Sequence, residues 1–119
     1  MNDGADLPKV QMPDTTNPDR LLVLIADPEQ TERLGDLLAE AGLDGGWFES
    51  AIDHAGGRAP YRSRREQVRG RRARVQFQIP VTADGAETLI ARLRARLGTA
   101  MPQHWCLALQ PVTAPNRAD

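Results

Sequence analysis

Between Arg58 and Arg74 the chain carries eight arginines, at 58, 62, 64, 65, 69, 71, 72 and 74, against a single acid, Glu66. Guanidinium groups stay charged and fork two donors toward carboxylate or phosphate oxygens, so the chemistry of such a segment is the capture of anions or acidic surfaces. Unmatched, the charges repel one another, and the segment is expected to be long, mobile and solvated until it meets a ligand or partner. Gly56 and Gly57 precede it, and Gly70 lies within it. Eight arginines within 17 residues would also neutralise nucleic-acid phosphates with a steep salt dependence. Tyr61 is the only interleaved aromatic and the whole chain has a formal net charge of −1, which disfavours that use.

A second constellation is softer. His104 and Cys106 stand two apart on an extended stretch and therefore face the same way, as a pair of soft-metal ligands would. Two ligands do not make a site, so His54 or Asp53 would have to come from elsewhere, and these are weak metal candidates. The plainer role is a cysteine filling core and a histidine opening a strand. For catalysis there is no activated-nucleophile arrangement, no Walker-type phosphate loop and no carboxylate pair fixed on one site. Asp53 and His54 are adjacent and point to opposite faces of a strand. The chain is expected to bind, and not to be an enzyme.

The elements that must position these residues are legible from periodicity. Leu21-Leu22-Val23-Leu24-Ile25-Ala26 is an unbroken apolar run of strand length. Asp27-Pro28-Glu29-Gln30 reads as a helix start, with Asp27 as cap, Pro28 at the first position and Gln30 closing a capping box. Leu34, Leu37, Leu38 and Ala41 then form one stripe, and Gly42 ends the helix. Trp47 to Ile52 is a second strand. Arg74 to Val81 is a third, alternating Val75, Phe77 and Ile79 with Gln76 and Gln78. Thr82 or Asp84 caps a second helix with Ala86, Leu89, Ile90, Leu93 and Leu97 inward, closed by Gly98. His104 to Val112 supplies a fourth strand.

The order is α+β, βαββαβ, which is the ferredoxin-like unit: a four-stranded antiparallel sheet, two helices on one face, and here a long connection between the second and third strands. The other sheet face is bare. Trp47, Phe48 and Trp105 are large for a wet surface, so a homo-oligomer with sheets facing inward is expected. Residues 1–19 and 113–119 read as a disordered lead-in and a flexible tail around a domain at 20–112. That domain is near the lower size limit for a comfortable core, which oligomerisation would relieve. Charge is polarised: residues 1–53 hold twelve acids and three bases, residues 54–119 four and twelve. One cysteine, no apolar run of membrane length and no signal-peptide core point to the cytoplasm, without membrane insertion.

With the long loop between strands two and three, the layout resembles the PII signal-transduction superfamily. Glu66-Gln67-Val68, Gly70-Arg71 and Arg74-Val75-Gln76-Phe77-Gln78 are similar to a small proteobacterial PII-like branch of unknown function, often encoded beside heavy-metal efflux systems. The resemblance spans about residues 20 to 112. It implies a homotrimer that works by binding a small anionic ligand, such as ATP, ADP or AMP, between subunits. It also implies a loop that docks on a transporter or regulator, or, as an alternative, a sensor or accessory protein of a metal-efflux system. Carried over, the ligand site comprises Gly56, Gly57 and Arg58 where the loop leaves, and Gly70, Arg71, Arg72 and Arg74 where it returns; Tyr61, Arg62, Arg64, Arg65 and Arg69 form the docking loop. The PII pattern has a Lys-containing, glycine-rich segment before the last strand. Here Gly98-Thr99-Ala100-Met101-Pro102-Gln103 has no base, which argues against ATP held in the PII manner and leaves open a smaller anion or a nucleotide held mainly by arginines.

Overall fold

The computed structural model describes residues 13, 15, 17–43, 45–56, 63–110 and 112. The apolar run becomes β1 (Arg20–Ala26), and after a 3-10 turn at Pro28–Gln30 the chain enters α1 (Thr31–Glu40). The backbone N–H of Asp27 donates to Gln30 Oε1 at 3.1 Å, one arm of the capping box that the sequence proposes. Leu34, Leu37 and Leu38 are buried at helical spacing, and Gly42 follows the last turn. β2 (Phe48–Ala55) is the second strand, and β3 (Arg71–Val81) the third. α3 (Ala83–Leu97) is capped by Thr82, whose Oγ1 accepts the Gly85 N–H at 3.0 Å, and buries Ala86, Leu89 and Leu93. A 3-10 turn at Gly98–Ala100 leads to β4 (Gln103–Ala108). Between β2 and β3 lies a further helix, α2 (Arg64–Arg69).

The four strands form one sheet in the order β2-β3-β1-β4, every neighbouring pair antiparallel. Register follows the apolar alternation. Leu22 opposes Ile79, Leu24 opposes Phe77 and Ala26 opposes Val75, and this face meets Leu34, Leu38, Leu89 and Leu93 of the two long helices in one core. A one-residue slip would turn the whole set to the other side of the sheet, so burial fixes the pairing. The fold is the α+β, ferredoxin-like one. Asp19, within the stretch expected as a lead-in, donates to Val81 O at 3.1 Å and accepts from Leu109 N–H at 2.9 Å. Other parts of the proposed lead-in and tail lie outside the described residues. Among the described residues no helix is long and apolar enough to cross a membrane.

The Arg-dense connection departs from expectation. β3 starts at Arg71, three residues earlier than the sequence suggested, because β2 continues to Ala55 and pairs with it there. Ser63 to Gly70 is not a featureless loop. Ser63 Oγ accepts the Glu66 N–H at 3.2 Å, α2 follows, and Gly70 terminates it with φ of 69°. The lone acid of the segment explains why a helix survives among like charges: Glu66 Oε2 accepts the Ala73 N–H of β3 at 3.0 Å, tying α2 to the sheet. Gly70 needs its left-handed backbone, and a Cβ there would meet nothing within 4 Å. The cost of Gly70→Ala is therefore conformational alone, about 1 kcal/mol. The expected result in thermal denaturation followed by circular dichroism is a fall in Tm of roughly 5 °C.

Candidate anion site on the uncovered sheet face

In a strand, alternate residues share a face, and directly opposed residues on neighbouring strands do too. The face without helices therefore carries Leu21, Val23 and Ile25 of β1 with Trp105 and Leu107 of β4. On its other side stand Phe48, Ile52 and His54 of β2, opposite Gln78, Arg74 and Arg72 of β3. Phe48 is 62% exposed, Trp105 48% and Leu107 47%, an apolar surface open to solvent. Trp47 differs from expectation: it packs half-buried against the core, its Nε1 donating to Glu49 Oε2 at 2.8 Å.

At one end of this face two arginines converge. Arg72 and Arg74 follow each other at period two on β3, and both turn toward the point where β1 gives way to the α1 entry. Arg72 Nη2 lies 2.9 Å from Asp27 Oδ1 and Arg74 Nε lies 3.5 Å from the same oxygen. Arg74 is also anchored on backbone, with Nη2 donating to Ile25 O at 3.1 Å and Nε to Ala26 O at 3.3 Å. The side chains retain only 16% (Arg72) and 13% (Arg74) of their exposure, against 27% for Asp27. Arg72 Nε is buried and has no hydrogen-bond partner among the described residues. Two guanidinium groups thus share one carboxylate in a place poor in water, where an extra oxyanion would be attracted more strongly than at the surface.

Beside them opens a pocket of about 320 Å³, floored by Ile25, Ile52 and Trp105 and edged by Arg74, His54, Asp53 and Gln103. It combines apolar walls with a few polar groups, as small-molecule sites do.

Of the residues that the sequence nominates, the structure brings Arg72 and Arg74 together and sets Gly70 one residue before β3. Arg71 is exposed and, by alternation, turns to the opposite face from Arg72. Gly56 follows the end of β2, while Gly57, Arg58, Tyr61 and Arg62 lie outside the described residues. Arg64 and Arg65 are exposed on α2, whose last residue is Arg69. His104 and Cys106 oppose Leu24 and Leu22, so they share the helix-side face, whereas His54 lies on the far edge strand facing the other way. His104 Nδ1 is 2.9 Å from Pro102 O. Among the described residues no three His, Cys, Asp or Glu side chains gather as a metal group. Sequence reasoning took Asp27 only as a helix cap and did not place Ile25, Ile52 and Trp105 at a pocket. The available signal was the alternation Arg72, Arg74, Gln76, Gln78, which sets both arginines on the face away from Phe77.

A family model described as "Protein of unknown function (DUF3240)" matches residues 16–116. No curated protein matches the chain. Among solved structures, a DUF3240 family protein from Shewanella baltica OS155 is similar at 21% identity and a TM-score of 0.60, covering 81% of this chain and 96% of that one. CPII, a nitrogen regulatory PII-like protein from Thiomonas intermedia K12 bound to ADP, AMP and bicarbonate, is similar at 17% identity and 0.58, covering 82% and 96%. Arabidopsis thaliana PII bound to citrate follows at 16% and 0.56, covering 76% and 77%. At these identities the likeness is one of fold, and that fold is PII-like.

Proposed function

We propose that this chain, which belongs to the DUF3240 family, is a regulatory protein of PII-like fold that binds a small anion and acts by binding, with no reaction of its own. The observation that carries the proposal is the convergence of Arg72 and Arg74, both mostly buried, on one carboxylate beside an open pocket. Support comes from two proteins of the same fold that hold anions, citrate in one and ADP, AMP and bicarbonate in the other. The apolar uncovered face is the surface through which copies assemble, in our proposal as a homotrimer with sheets inward. The pocket lies on that face, so a neighbouring subunit would form its missing wall. Arg64 and Arg65, exposed on α2, would then present positive charge to a protein partner such as a transporter or regulator.

Thermal denaturation with and without citrate, ADP and AMP tests the anion site. An anion present at a hundred times its dissociation constant adds about 2.7 kcal/mol to stability. In a domain of this size that corresponds to a rise of roughly 10 °C in Tm. Arg74→Ala is expected to abolish the rise, and Arg71→Ala, on the opposite face, to leave it intact. Equal responses from both variants, or none from the parent protein, would sink the proposal.

A further inference from the structure

Resting on the anion site just proposed, we infer that Asp27 is a built-in competitor anion. Tethered between Arg72 and Arg74, it restricts the site to oxyanions that carry two or more negative charges. Asp27 Oδ1 is shared by both guanidinium groups, at 2.9 Å and 3.5 Å. A carboxylate on the same chain acts at a high effective concentration. A free monoanion such as formate or chloride offers the arginines no more charge than Asp27 already does, and it must give up its own translational freedom, so it loses the exchange. A dianion or trianion bridges both arginines with separate oxygens and wins it. The site also has donor capacity that Asp27 leaves unused, because Arg72 Nε is buried without a partner among the described residues, and a buried donor left unmet favours the arrival of a further acceptor.

Displacing Asp27 does not dismantle the site. Arg74 remains held by the carbonyl oxygens of Ile25 and Ala26. The helix start loses the arm of the capping box in which the Asp27 side chain accepts from the Gln30 backbone, but keeps the bond from the Asp27 backbone N–H to Gln30 Oε1. Substitution by asparagine is therefore a clean probe, since Asn caps helices as well as Asp while lacking the charge. Asp27→Ser, also a good cap, serves as a second variant.

The test is isothermal titration calorimetry of the full-length protein and both variants in a chloride-free, low-salt buffer, with citrate, pyrophosphate and formate as probes. The full-length protein is expected to bind citrate or pyrophosphate and to ignore formate. Asp27→Asn and Asp27→Ser should bind the multivalent probes about tenfold more tightly, and should now take formate at millimolar concentration. Binding by a variant alone, with none by the parent, would overturn the anion site as proposed and this inference with it. Whichever multivalent probe binds identifies the favoured oxyanion as carboxylate or phosphate. If the parent binds a multivalent probe and the variants bind it equally or more weakly, Asp27 is only a positioning residue and the inference falls while the anion site stands. If no protein binds any probe, both fall together.

Discussion

Phe77→Ala is expected to lower the unfolding free energy by about 3–5 kcal/mol, the cost of removing a large aromatic ring from a closed core. Phe77 is fully buried, opposes Leu24 on β1, and belongs to the cluster that includes Leu34, Leu38, Leu89 and Leu93. It therefore lies in the same core as residues of both long helices. A domain this small has on the order of 5–15 kcal/mol in total, so the loss is a large share, and Tm should drop by on the order of 20 °C. Urea denaturation checks the value directly. Gln78→Ala, one residue on and facing the other way, should change stability by less than about 1 kcal/mol. Similar effects from the two variants would contradict the assignment of the two sheet faces.

Under the proposed trimeric assembly, Trp105→Asp is expected to yield single chains. Trp105 stands on the edge strand β4 of the uncovered apolar face, next to Leu107 on its own strand and opposite the nearly buried Val23. Aromatic residues at the centre of an interface commonly carry 2 kcal/mol or more each. A carboxylate in that position additionally has to be desolvated against apolar neighbours. In the proposed closed ring each subunit contributes the residue, so the penalty would recur at every interface. A weakening of at least a hundredfold per interface is expected. Light scattering at micromolar concentration should then report one chain mass for the variant and three for the parent. An unchanged mass for the variant would place the interface elsewhere, and a monomeric parent would remove the inter-subunit site from the proposal altogether.

The two variants also separate what the face does from what the core does. Phe77→Ala acts on every copy alone, and its effect on Tm is independent of protein concentration beyond that of the parent. Trp105→Asp acts through association, so its effect on stability grows with concentration. Measuring both at two concentrations distinguishes a chain that folds alone from one that depends on its neighbours.

Much of the fold was legible in residue types alone. Leu34, Leu37 and Leu38 with Gly42 behind them could only be a buried helix stripe and its end, and Val75-Gln76-Phe77-Gln78-Ile79 could only be a strand with one dry side. Both patterns are local, set by the 3.6 and 2.0 residue periods of the backbone. The bare sheet face and the arginine-rich connection followed from the same patterns. The helix inside that connection did not, although its signals, Ser63 with Glu66 three residues on and Gly70 at the end, are themselves local. The earlier start of β3 also escaped, since arginines have no strand signature and Arg71 to Ala73 are held by pairing with β2.

The sequence by itself determined which elements form, which of their sides are apolar, and that an excess of guanidinium groups crowds the return into β3. Only the tertiary structure decided which of those groups converge on one carboxylate. Arg72 and Asp27 are 45 residues apart, and nothing in either one's neighbourhood announces the other. They meet because β1 and β3 pair in a single register that burial of Phe77, Ile79 and Leu24 enforces. That register carries Arg72 and Arg74 to the end of β1 and turns Arg71 away. Charge is a property of residues, but the pairing of charges is a property of the sheet.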